Sequence, residues 1–243
     1  MDPLVIIGVA IASLLMSILG GIAGIGTALG MVPILTLAFG VQVAVPIVAV
    51  AMVFNNLSRW WANREYTNYR VAVWFAVGAV PLAILGSVVF AGAAPDVITR
   101  ALGVFLLVLV VYRHIPIGRD WRMTSTRKFA VVGGGQGFLD GLFGAAGPFG
   151  AHFFLAFGLR KNAFVATVAF ATFSMNMAKA GTYARFALLD LRALGIAVGI
   201  GIIMVAGAYI GGTLVKRLPD QVFVYIVEAI MVCAGIALII QTS

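Results

Sequence analysis

Apolar residues run along this chain in blocks long enough to cross a lipid bilayer, and polar residues fall mainly between them. The blocks lie at about 4–20, 27–40, 43–62, 71–93, 96–113, 127–144, 148–158, 162–183, 191–215 and 220–241. A bilayer-spanning helix needs about 20 predominantly apolar residues, so the pattern predicts an all-α polytopic membrane protein. The only long polar connection, RHIPIGRDWRMTSTRK at 113–128, divides the chain near its middle. Two blocks, 27–40 and 148–158, are short, and each follows a glycine-rich break. The second covers roughly 15 Å at the usual helical rise, half the hydrocarbon thickness. Each break therefore reads as a hairpin that enters the membrane, breaks near the midplane and returns. Two complete crossings in its place would leave the remaining topology unchanged.

Composition agrees with that class. Of the 243 residues, 63% are hydrophobic and only 10% charged, and the mean hydropathy is +1.11. The single cysteine, Cys233, excludes a disulfide framework, a thiol pair or a thiolate metal site within one chain. The opening MDPLVIIG has no basic stretch and reads as the first mature helix, not as a cleaved signal. A formal charge of +8 raises nucleic acid as a partner, but the basic residues sit at helix ends. With the N-terminus outside, Arg59, Arg64, Arg70, Arg113, Arg119, Arg122, Arg127, Lys128, Arg160, Lys161, Lys216 and Arg217 reach the cytoplasmic side, twelve of the sixteen cations. The excess of basic residues in cytoplasmic loops selects this orientation. Trp60, Trp61, Trp74 and Trp121 flank the same face, as interfacial anchors do. The expectation is a multi-pass protein of the cell (plasma or inner) membrane, with both termini outside and a cytoplasmic central loop.

Shifted by 120 residues, the two halves match. GGIAGIGTALG at 20–30 overlays DGLFGAAGPFG at 140–150, Asn56 falls on Asn176 and Arg59 on Lys179. A slightly larger shift puts Pro95-Asp96 on Pro219-Asp220. The chain divides into a first membrane repeat at 1–113, a connecting loop at 114–126 and a second repeat at 127–243. Each repeat holds one broken hairpin and three full spans. The net number of crossings per repeat is odd, so the second must lie upside down relative to the first. Inverted repeats with broken helices are a common plan of secondary transporters, with the substrate at the midplane between them.

Non-helical backbone at membrane depth is tolerated only where protein or a polar cavity satisfies it. The N-terminus of a returning half-helix offers free N–H groups and the positive end of the helix dipole, both of which attract anions. Pro148, just after Gly147, suits the first helical position, where a missing N–H costs nothing. Thr27, just after Gly26, can cap its half-helix with the hydroxyl. Close helix packing is the alternative reading of these glycines, because Gly133, Gly137, Gly141, Gly144, Gly147 and Gly150 recur every three or four residues.

Polar residues inside the apolar blocks supply further candidates. Thr172, Asn176, Lys179 and Tyr183 share one helical face, and Asn56, Arg59 and Asn63 share another at matching positions. A cation within the membrane must face a partner or water, so these faces are read as lining a pathway. Snorkelling of the long side chains to the headgroups is the alternative. Asp140, about 18 Å along its helix from Lys128, is a candidate proton carrier or a partner for Lys179; capping of backbone freed by the glycines is its other reading. Glu228 in the last block is a second candidate for proton coupling. His152 reads as a hydrogen-bonded packing residue, and Gln136 and Ser174 are weaker pathway candidates. There is no GxxxxGK[ST] loop for an ATP-driven pump, no GxSxG or HExxH motif, and too few histidines and cysteines for a conventional metal site. No cofactor and no enzymatic activity are expected.

GIAGIGTALGMVPIL near the start and GFLDGLFGAAGPFGAHFFL after the central loop resemble the paired signature of the TauE/SafE family of sulfite and organosulfur anion exporters. The family's usual form is GxxGxGGGxxxVPxL, once per half. The first copy keeps Val32-Pro33; the second has His152-Phe153 there and places Pro148 among the glycines. The resemblance implies a secondary transporter, an exporter of a small sulfur-containing anion such as sulfite, thiosulfate or a sulfonate. A passive anion channel and a proton-coupled importer are the alternatives. Expected partners are the anion and membrane lipid, without nucleic acid; homo-oligomer formation stays open.

Overall fold

A computed structural model describes residues 3–23, 26–114, 123–214 and 220–241. Most of the central loop therefore lies outside the described residues, as do Gly24, Ile25, Lys216, Arg217 and Pro219. The described chain forms ten α-helices: α1 (Pro3–Ala23), α2 (Thr27–Phe39), α3 (Val41–Asn63), α4 (Tyr69–Gly92), α5 (Pro95–His114), α6 (Phe129–Phe143), α7 (Gly147–Ala156), α8 (Lys161–Arg185), α9 (Leu191–Leu214) and α10 (Asp220–Gln241). Stretches of α3, α4, α5, α8 and α9 are long and apolar enough to cross a membrane. The protein is an all-α polytopic membrane protein.

Local sequence explains several helix ends. Asn68 caps α4 by accepting from Val71 N at 3.2 Å, while its own N–H donates to Thr167 Oγ1 of α8. Asp190 caps α9 by accepting from Ala193 N at 2.6 Å. Each cap satisfies a donor that the first helical turn leaves without an intrahelical partner.

Two of the helices are short. At about 1.5 Å per residue, α2 and α7 cover roughly 20 and 15 Å, less than the hydrocarbon core. α1 and α2 run antiparallel, because Gly20 faces Thr27 while Gly30, further along α2, faces Met16, further back on α1. α6 and α7 also meet, with Gly135 against Phe149 and Gly150 against Gln136.

Glycines set the closest helix contacts. A Cβ on Gly133, Gly137 or Gly141 of α6 would run into the carbonyl oxygens of Phe75, Ala79 and Ala83 on α4. Gly78 and Gly86 of α4 stand in the same relation to Ala130 and Phe138 of α6. Gly207 and Gly211 of α9 bring that helix onto the Leu14 and Ile18 carbonyls of α1. In lipid, such backbone approach is what drives association, since tails are as apolar as side chains. For these α6 glycines the packing reading therefore holds.

The pattern of neighbours is nearly preserved when the halves are exchanged. α1 packs on α9 as α6 packs on α4, α3 lies against α8 and α9 as α8 lies against α3 and α4, and α5 lies against α10. Among the described residues two relations break the exchange, the weaker being α3 on α5 without α8 on α10. α10 packs on α2, without comparable packing of α5 on α7; α5 reaches α7 through Tyr112, whose ring stands 6.1 Å from Phe149 and 5.8 Å from His152.

Gly137→Ala is expected to destabilise the protein by about 1–3 kcal/mol through overpacking of α6 on α4. Gly195→Ala, whose Cβ would meet nothing, should have no such effect. Unfolding of the purified protein in detergent measures both, and equal midpoints for the two variants would refute the packing role.

Candidate functional site

Both backbone breaks open onto one cavity. Its volume is about 50 Å³, several times the roughly 10–15 Å³ that one water requires. Gly26, Thr27, Ala28 and Leu29 line it from the start of α2, and Gly144, Gly147 and Pro148 from the second break. α3 adds Met52, Asn56 and Arg59; α6 adds Gln136 and Asp140; α8 adds Val168, Thr172, Met175 and Asn176.

The two breaks are built differently. Gly26 caps α2 with φ 109° and ψ −13°, a conformation that glycine adopts without the Cβ penalty. Thr27 does not cap that helix as expected from the sequence; it is the first residue of α2 and makes no capping bond. Its hydroxyl instead fills the space above Gly20 and finds no partner there. In the second break Gly144 takes φ 75° and donates its N–H to Asp140 O at 2.7 Å, closing α6. Gly147, not Pro148, is the first residue of α7, so the proline sits one position further in than expected. A Cβ on Gly147 would meet nothing, so helix packing does not explain that glycine.

Asp140 and Lys179 form a buried ion pair behind the second break, with side-chain exposures of 7% and 1%. Lys179 Nζ donates to Asp140 Oδ2 and, at 3.4 Å, to the Asp140 carbonyl. The other carboxylate oxygen accepts from Ala146 N at 2.8 Å. One turn along α8, Tyr183 donates its hydroxyl to Gly141 O at 2.6 Å. The last carbonyls of a helix have no intrahelical donor and carry the negative end of its dipole. Lys179 and Tyr183 supply the missing donors and the positive charge. Both lie outside the described cavity lining: the polar face of α8 divides into a cavity stretch, Thr172 and Asn176, and a stretch that ties off the broken helix.

Arg59 and Asp140 are the charged residues of the described lining, and Lys179 neutralises Asp140. Arg59 is 6% exposed, Asn56 is 2% exposed, and the Asn56 amide nitrogen has no partner. Across the cavity, Asn176 Nδ2 donates to Thr172 O at 2.9 Å and Thr172 Oγ1 to Val168 O at 2.8 Å. The buried donors awaiting a partner are thus those of Thr27 and Asn56.

The remaining candidates lie elsewhere. Glu228 is outside the described lining, with its carboxylate 3.8 Å from His114 Nε2. His152 is exposed, with Nδ1 3.5 Å from Pro148 O. Ser174 bonds to Phe170 O, and Asn63 donates to Arg59 O at 3.0 Å. Sequence reasoning missed Met52 and Met175 in the lining; the offset of 120 pairs Met52 with Thr172, the signal that could have found it. It also missed Asn55, which accepts from Ser17 at 3.3 Å in the packing of α3 on α1.

A helical bundle in which two helix breaks meet at one cavity lined by polar residues has the layout of a membrane transporter. The chain belongs to the Sulfite exporter TauE/SafE family, whose model matches residues 9–238. That family consists of membrane transporters, not enzymes, and its cargo is sulfite or organosulfur anions. No curated protein and no solved structure matches the chain.

Lys179→Met should lower stability by about 3–5 kcal/mol, because it strands a buried carboxylate. Adding Asp140→Asn should recover much of that loss. Unfolding midpoints of the single and double variants test this, and a double variant no more stable than the single one would exclude the pair as the tie.

Proposed function

We propose that this chain is a secondary transporter that exports a small sulfur-containing anion, such as sulfite, thiosulfate or a sulfonate, bound between the two breaks. The observation that carries the reading is the convergence of both half-helix N-termini with Arg59 and the unpartnered donors of Thr27 and Asn56 on one cavity. Helix N-termini alone favour anions weakly; a buried guanidinium and two waiting donors make the site selective for them.

The two halves, 1–113 and 127–243, act as inverted repeats about this cavity. The near exchange symmetry of the helix neighbours and the offset of 120 residues support this. The N- and C-termini face outward and the central loop is cytoplasmic, as the distribution of cations supports. In an inside-negative cell or bacterial inner membrane, moving one charge through 100 mV is worth about 2.3 kcal/mol, enough to drive a monoanion outward to roughly fifty-fold excess. Export thus needs no coupling ion. The Asp140 carboxylate is held by Lys179 and the Ala146 N–H, which supports a role in closing the helix break.

Purified protein in liposomes is expected to move sulfite in a saturable manner and to show counterflow. Thiosulfate, sulfoacetate and taurine, offered separately, define the range. Arg59→Gln and Asn56→Leu should each reduce flux roughly ten- to hundred-fold, the scale of losing a charge-assisted hydrogen bond. Unitary currents without counterflow would instead identify a channel, and unchanged flux in both variants would reject the cavity as the binding site.

A further inference from the structure

The exchange of neighbours between the halves fails beside α5. α10 packs on α2, but α5 has no comparable packing on α7. Rings make the described contacts of α5 there. Phe105 stacks on Phe143, the last residue of α6, with centroids 4.5 Å apart and planes at 20°. Tyr112 reaches Phe149 and His152. Beside these rings a groove of about 780 Å³ runs along α5, lined by residues of α5 between Asp96 and Val108 and by Phe143. Ligand pockets typically measure about 300–1,000 Å³. The groove lies apart from the cavity between the two breaks and shares no lining residue with it.

Its shape and chemistry point to one kind of ligand. Val97, Ala101, Val104 and Val108 recur every three or four residues and so form one stripe along the helix. The three valines are 62%, 48% and 56% exposed, so no described helix covers the stripe. From Asp96 to Val108 the groove runs about 18 Å at the helical rise, a little over half the roughly 30 Å hydrocarbon core. That is the depth of one leaflet, the reach of a single acyl chain. One end of the groove, in the first turn of α5, carries Asp96. Asp96 is exposed and, among the described residues, makes no ion pair. Arg100, one turn on, lines the groove too but is engaged by an interaction of its own, so selectivity for a headgroup falls to Asp96. A carboxylate at the head of an apolar groove is complementary to a cation carried on an acyl chain.

We infer that this groove binds one phospholipid with a primary-ammonium headgroup. The ammonium meets the Asp96 carboxylate, and one acyl chain lies along Val97, Ala101 and Val104 to end against Phe105 and Phe143. Lipid here takes the place of the helix packing that α5 lacks. The site also bears on the second break. Phe143 directly precedes Gly144, where α6 closes with φ 75°, so the acyl chain supports the end of α6 from the lipid side. Binding does not depend on which solute the protein moves.

The test counts bound lipid. The full chain in detergent is incubated separately with phosphatidylethanolamine, phosphatidylcholine and phosphatidylglycerol of matched acyl chains, and native mass spectrometry reads the lipid retained. The wild type is expected to keep one phosphatidylethanolamine per chain and to melt at a higher temperature with it. Phosphatidylglycerol, which has no ammonium, should be retained roughly ten-fold less, the scale of one charge-assisted hydrogen bond. Val104→Trp fills the groove and should lower phosphatidylethanolamine retention roughly ten-fold through lost apolar contact. Val77→Trp adds the same bulk at an exposed position of α4 and should leave retention unchanged. Asp96→Asn should keep the acyl chain but erase the preference for phosphatidylethanolamine over phosphatidylglycerol. Equal retention by the two tryptophan variants, or equal retention of the two lipids by the wild type, overturns the inference. So does a lipid-free dimer, which would assign the groove to a second copy of the chain. Should Val104→Trp fail to fold, Asp96→Asn decides: an unchanged lipid preference overturns the site.

Discussion

The structure depends on how it satisfies backbone groups freed at membrane depth. Where α6 stops at Gly144, its last carbonyls face an interior that holds no bulk water. Lys179 and Tyr183, one turn apart on α8, reach across and donate to the carbonyls of Asp140 and Gly141. The ammonium brings a charge that could not remain buried alone, and Asp140 cancels it. The carboxylate in turn holds the Ala146 N–H at the start of α7. Acid, base and phenol together fix both sides of the break, so that α7 begins against the cavity.

That arrangement also sets the electrostatics of the cavity. Asp140 is part of the lining, and an unpaired carboxylate there would oppose any anion. Lys179 neutralises it, and Arg59 is the other charged residue of the described lining. The first half reaches the cavity with Gly20 in place of an acid, a hydroxyl and an amide without partners, and a guanidinium. In the second half the matching groups are closed by bonds within the chain.

Close glycine contacts make this geometry rigid. α6 meets α4, and α9 meets α1, with backbone touching backbone. The hairpins are thereby held by helices from the opposite half for α1, and from the opposite half again for α6. This cross-bracing means neither hairpin is packed by its own repeat alone. The unequal packing of α10 on α2 and α5 on α7 is the clearest departure from exchange of the halves.

The sequence by itself determined the membrane class, the two breaks, their repetition at an offset of 120, and the polar faces of α3 and α8. Those features follow from local rules: apolar length, glycine placement and the helical repeat of 3.6 residues. Periodicity says which residues share a face but not what lies opposite each turn of it. Thr172 and Asn176 therefore looked the same as Lys179 and Tyr183 until α6 was seen to end beside the latter pair. Thr27 looked like a cap for the same reason, since its spacing fits one. Only the tertiary structure put Gly20 beneath its hydroxyl and gave the capping position to Gly26. Partner choice at a broken helix is decided by which neighbouring helix arrives at that depth, and this information is carried by packing between halves, not by any one segment.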